Sequence, residues 1–268
     1  MWAIAQFSLL KMRESAFYLL MIVAALICVF TNTADPVGEQ IAKGSLFSYA
    51  FSGTATAAAS ISMGTCIALV ISILISSFYG SSEIPSDINT GVILVILSKP
   101  IGRFRYLAGK YVAVVIMAFS IFIFLQVVLF LASKLFGIGM VPYTSVQVTV
   151  RQLAPALFLL PLIAANLAFS IVGGALGAMI FTTLYLLFSV VVAFIPLTLA
   201  IFPEGMIPLL DNFLFLLHYI FINPLFYFHD AGASGLPLIA LVFYSFAVAA
   251  LFLLFSIYLL YTTDLNEA

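Results

Sequence analysis

The sequence predicts an all-α membrane protein. It carries six transmembrane helices, an N-terminal interfacial helix, a short cytosolic helix between the second and third spans, and an extracytoplasmic re-entrant segment before the last span. Three observations predict it. The 268 residues are 65% hydrophobic and 7% charged, with a mean hydropathy of +1.29, whereas soluble domains are about 25% charged. Apolar runs long enough to cross the hydrocarbon, about 20 residues each, recur along the whole chain. The few charges are gathered between those runs instead of being spread through them. All 268 residues therefore read as one transmembrane domain.

The elements follow in order. Residues 1–14 form an amphipathic lead in which Trp2, Ile4, Phe7 and Leu10 recur at helical spacing, opposite Gln6 and Lys11. Such a helix lies in the interface, with Trp2 at headgroup depth. The first span is Ala16–Asn32. Lys11 and Arg13 ahead of it give the outline of a signal peptide, but the amount of membrane that follows marks it as a span. A polar loop holds Asp35, Glu39 and Lys43. The second span lies within Phe51–Tyr79, and its first half, Ser52–Ser60, is built of small residues that let helix backbones approach closely.

The third span is Tyr111–Ser133, with Gln126 as its strongly polar member. Residues 152–203 then run without a charge. At about 1.5 Å per residue this is too long for one crossing, and Gly173-Gly174 supplies a break. Two spans result, Pro155–Val172 and Ala175–Ile201, joined by almost no loop. Gly173 and Gly177 make a lone GxxxG pair, a weak dimerisation signal. Residues 202–237 hold an apolar piece, Phe213–Ile222, that is too short to cross and reads as re-entrant. The last span is Leu238–Tyr261.

Charge sets the orientation. Lys11, Arg13, Lys99, Arg103, Arg105 and Lys110 fall on the side of the termini, and Lys43, Lys134 and Arg151 on the other. The positive-inside rule places both termini in the cytosol, in a plasma membrane or bacterial inner membrane.

Several functions are excluded or disfavoured. A net charge of −1 gives no basis for a nucleic-acid partner. Cys28 and Cys66 lie in apolar runs and read as small hydrophobes, not as metal ligands or a disulfide. No span interior holds Asp, Glu, Lys, Arg or His, the groups ion-coupled carriers keep at depth. Gly232-Ala233-Ser234-Gly235 matches the GxSG of intramembrane serine proteases. A base would have to follow it, and both His218 and His229 precede it. The chain has no Walker motif and is read as not an enzyme, with no catalytic, metal or cofactor residues. If it moves a solute uphill, the energy enters from another subunit.

Ser82–Lys110 carries six of the chain's nineteen charges, acidic first and basic last, around the apolar run Val92–Leu97. Pro85 suits a first helical turn, Ser82 or Ser86 can cap it, and Glu83 and Asp87 would sit at the positive end of its dipole. Ile88, Val92 and Val95-Ile96 continue the helical spacing as far as the stop at Lys99-Pro100. Arg103, Arg105 and Lys110 then enter the third span, where snorkelling to lipid phosphates is the plainer role.

The order Glu83, Pro85, Asp87, Gly91, Leu97-Ser98-Lys99-Pro100-Ile101, Arg103, Leu107, Gly109-Lys110 resembles the loop between the second and third spans of ABC-2 type transporter permeases, nearest the subgroup associated with multi-copper enzyme maturation. The resemblance implies a cytosolic coupling loop over 83–105 whose coupling helix docks on an ATP-binding subunit. The docking residues would be Glu83, Pro85, Asp87, Gly91, Ser98, Lys99, Pro100 and Arg103. It also implies an exporter that works as a dimer, with a second copy or a sister permease, and two ATPase subunits that hold ATP and Mg. Residues 202–237 would be its extracytoplasmic gate-like segment. Two rivals stand beside this reading: a non-transport membrane scaffold or assembly protein, and an ion-coupled carrier. The 27 Phe and 12 Tyr suit lipid-facing surfaces and interface belts as well as a stacking path, so the substrate stays open.

Overall fold

In the computed structural model the described residues are 2–13, 21–27, 63–93, 102–136, 153–199, 227 and 238–262, and every regular element among them is helical. Helix α1 spans Trp2–Arg13, and residues 21–27 form a helical segment. Helix α2 is Met63–Asn89 and α3 is Arg103–Phe136. A 3₁₀ turn, Ala154–Phe158, leads into α4, Leu159–Leu199. Helix α5 is Leu238–Thr262. Four helices are long and apolar enough to cross a membrane, so the chain is a multi-pass membrane protein.

Helix α4 is a hairpin, as the glycine pair predicts. Gly174 has φ 64° and ψ −168°, a region that only glycine occupies without strain. The chain turns back there. Thr182 Oγ1 donates to Asn166 Oδ1 at 3.0 Å, although sixteen residues of straight helix would separate them by about 24 Å. Ring contacts between Phe169 and both Phe181 and Tyr185 run along the same seam. Gly173 serves this turn, because a Cβ on it would lie 3.2 Å from the Phe181 ring.

The first limb of α4 is the centre of the bundle. Nearly every residue from Ala154 to Ile171 is buried, packed against α2 and α5 and, less extensively, α3. Helix α3 contributes a stripe of Val114, Met117, Ala118, Ile121, Phe122, Leu125 and Leu129, spaced three and four apart as one helical face requires. The second limb turns Leu176, Ile180, Leu184, Leu187 and Val191 outward.

Lipid tails offer helices no hydrophobic reason to associate, so polar bonds and close packing must hold them. Three of the junctions have such a bond. Thr65 on α2 and Gln126 on α3 bond side chain to side chain. Asn166 Nδ2 donates to the Ser77 carbonyl at 2.9 Å, and Tyr111 donates to the Leu160 carbonyl at 3.1 Å. Gln126 and Asn166 thus both serve as polar ties between helices. Gly80 makes the Asn166 bond possible, since a Cβ there would stand 2.9 Å from Asn166 Nδ2.

The lead helix forms where the sequence places it, but another face packs. Ala5 and Ser8 are buried, with Ile4 and Leu9 beside them, while Trp2 and Phe7 face outward. Small residues bring α1 close to α3; the larger apolar side chains are left for the surroundings.

Helix bounds at the loop differ from expectation. Helix α2 continues ten residues past Tyr79, and α3 begins eight residues before Tyr111. Charges had marked the expected span ends. They do not end these helices, because Glu83 and Asp87 pair with Lys110. The first half of the second span, the segment 94–101, and residues 202–237 apart from Tyr227 lie outside the described residues. Tyr227 itself is fully buried, against Phe158, with its hydroxyl 2.9 Å from Ser245 Oγ.

Candidate functional site

The last two turns of α2 face the first two turns of α3. Glu83 and Asp87 are four residues apart, and so are Tyr106 and Lys110, so each pair projects from one helical face. Lys110 Nζ lies 2.6 Å from Glu83 Oε2 and 2.8 Å from Asp87 Oδ2. The Tyr106 hydroxyl donates to Asp87 Oδ2 at 2.9 Å. The four residues are buried, with Lys110 1% and Tyr106 0% exposed. Ile84 and Leu107, both at most 1% exposed, exclude water around them. Two carboxylates thus share one ammonium and one phenol in a dry junction between two helices.

This corrects three expectations. First, no helix starts at Pro85. Pro85 lies inside α2, so Glu83 and Asp87 sit near the negative end of the helix dipole, where Lys110 compensates them. The Ser82 hydroxyl does not cap a new helix; it donates back to the Tyr79 carbonyl. Second, Glu83 and Asp87 do not offer carboxylates to a docking partner in this conformation, being 3% and 2% exposed with Lys110 between them. Third, Lys110, one of three basic residues expected to enter the third span by snorkelling, is instead a paired core residue.

Helix α2 ends beyond the cluster. The amides of Thr90 and Gly91 donate to the carbonyls of Ser86 and Ile88, and Gly91 takes φ +68°, the usual glycine solution at a helix C-terminus. This turn interrupts the continuous coupling helix expected over 83–99; helical geometry resumes only at residues 92–93. Gly91 and Thr90 are on the accessible side of the junction. Ser98, Lys99 and Pro100 lie outside the described residues.

Arg103 opens α3. Its Nη1 donates to the Leu260 carbonyl at 2.7 Å, and its guanidinium carbon is 4.6 Å from the centre of the Tyr261 ring. The Leu260 carbonyl is one of the last four of α5, which have no partner within the helix. Arg103 thereby caps the last helix. Arg105, two residues on, is exposed, as is Phe104.

Sequence reasoning named the acids and the basic residues but not their pairing, and it missed Tyr106 altogether. The matched four-residue spacings of Glu83/Asp87 and Tyr106/Lys110 were the signal that could have found the cluster. Among the described residues, no group of three or more His, Cys, Asp or Glu could hold a metal. Comparison of the chain with protein-family models and with curated proteins gave no match.

Proposed function

We propose that the chain is the membrane-spanning subunit of an ATP-driven transporter of the ABC-2 type, carrying out no chemistry itself and taking its power stroke from a separate ATPase. The observation that carries this reading is the ordered charge pattern of 83–110, whose two flanks are clasped by the Glu83–Asp87–Lys110 cluster. The clasp joins α2 and α3 at the end nearest the intervening segment. A displacement of residues 90–102 is then delivered to both helices as one body. The work comes from population shift: the ATPase must bind one arrangement of the bundle better than another.

The finer architecture belongs to the same proposal. Helices α2, α3 and α5 and the two limbs of α4 supply five crossings, and the span containing residues 21–27 supplies the sixth. Both termini and residues 90–102 lie in the cytosol, and the working unit is a dimer with two ATPase subunits. Docking falls to Gly91, Ser98, Lys99 and Pro100, with Glu83 and Asp87 holding the platform from behind.

The test is co-purification of the ATPase with the wild type, Gly91→Trp and Lys99→Glu, with ATP turnover measured for each. Loss of the ATPase in either variant supports docking through this segment; full binding and turnover in both refutes it. One observation favours a second reading, an ion-coupled carrier: Glu83, Asp87 and Lys110 are buried ionisable groups within membrane-crossing helices. That reading requires transport that collapses with the ion gradient and survives without ATP hydrolysis.

A further inference from the structure

The segment between α2 and α3 is held at both ends, and to different partners. At the entry, Glu83 and Asp87 hold the end of α2 to α3 through Lys110. At the exit, Arg103 holds the start of α3 to the end of α5. Helix α5 packs along α4, and α4 is bonded back to α2 through Asn166 and the Ser77 carbonyl. Among the described residues these contacts link α2, α3, α5 and α4 in a closed ring.

We infer that Arg103 is a positioning residue that hands motion of this segment to the last helix. The inference rests on the transporter reading above. Three features of Arg103 suit it for the task. It is the first residue of α3, so any displacement of the preceding chain reaches it first. Its guanidinium donates to an end-of-helix carbonyl, where a cation is also favoured by the helix dipole. The same planar group stacks on Tyr261, a combination of fork and face that lysine does not reproduce. Arg105 carries the same charge two residues away but is exposed, so charge alone does not define the role. Arg103 thus acts inward, on its own chain, in place of the docking role that the loop resemblance implies.

The test uses the complex of this chain with the ATPase subunit that co-purifies with it, in lipid nanodiscs. Cys28 and Cys66 are replaced by Ala, and a fluorophore is attached through Tyr258→Cys, an exposed position on α5. Trapping with ATP and vanadate should change the label signal when Arg103 is intact. Arg103→Gln should keep the ATPase subunit bound but lose the signal change. Arg103→Lys and Tyr261→Leu should each retain part of it, which guards against a folding defect in the first variant.

A signal change in Arg103→Gln equal to that of the intact chain would overturn the inference and leave the transporter reading standing. Loss of ATPase binding in Arg103→Gln would also overturn it, by placing the guanidinium on the partner. Failure of any ATPase to co-purify with the intact chain, or no response to trapping, would overturn the transporter reading and this inference with it.

Discussion

Removing Lys110 should damage the protein far more than removing either acid it pairs with. In Lys110→Met the two carboxylates remain buried with no ammonium between them. The lost contacts are 2.6 and 2.8 Å long between groups at most 4% exposed. Breaking a buried ion pair from one side costs about 3–5 kcal/mol. At about 2–4 °C per kcal/mol for a chain of 150–250 residues, the unfolding midpoint should fall by roughly 6–20 °C. Glu83→Gln leaves one carboxylate on one ammonium, with an amide oxygen still able to accept from Lys110. Its cost should stay within about 1 kcal/mol, as for a swap that strands no charge. The triple variant Lys110→Met, Glu83→Gln, Asp87→Asn removes every charge at once, and should recover most of the loss. Thermal unfolding of the purified protein, followed by size-exclusion of the fluorescent-tagged chain, reads all three midpoints. Equal midpoints for Lys110→Met and Glu83→Gln would refute the cluster as the clasp between α2 and α3.

Three further expectations use the same assay. Gly80→Ala should push the Asn166 amide off the Ser77 carbonyl, because the new Cβ would lie 2.9 Å from Asn166 Nδ2 and 3.3 Å from Val114. The cost is about 1–3 kcal/mol, and it should be non-additive with Asn166→Ala, since the two sites share one bond. Gly174→Ala should cost about 1–3 kcal/mol through the backbone alone, as no atom lies within 4 Å of the new Cβ; Gly102→Ala, equally open but without positive φ, is the neutral comparison. Arg105→Gln, on the surface, should shift stability by no more than about 0.5 kcal/mol, whereas Arg103→Gln, which strands the Leu260 carbonyl, should cost about 1–3 kcal/mol.

Much of the scaffold was legible in the residues. Long apolar runs marked the four helices able to cross a membrane, Leu238–Tyr261 matched α5 almost to the residue, and Gly173-Gly174 marked the turn of α4. These features depend on local properties, hydropathy and backbone freedom, that a sequence displays directly. The ends of α2 and α3 were misplaced for the opposite reason. Glu83, Asp87 and Lys110 look like water-loving boundaries when each is taken alone, and their burial depends on partners 27 and 23 positions away. Pro85 misled in the same manner, since a proline suits a helix start, yet a neighbouring helix and Ser side chains can support it near the end of one. The packed face of α1 was missed because Ala5 and Ser8 carry little hydropathy; their small size, which matters between helices in lipid, does not register on such a scale.

The turn at Gly174 has a consequence for how the chain is made. Val172 and Leu176 flank it and point outward, so the tip presents no hydrophilic residue for the aqueous compartment to retain. Asn166 finds one of its partners, Thr182, only once the second limb has emerged from the ribosome. The two limbs should therefore leave the translocation channel together, as a preformed pair, and a nascent chain arrested between them would still be held at the channel's lateral gate.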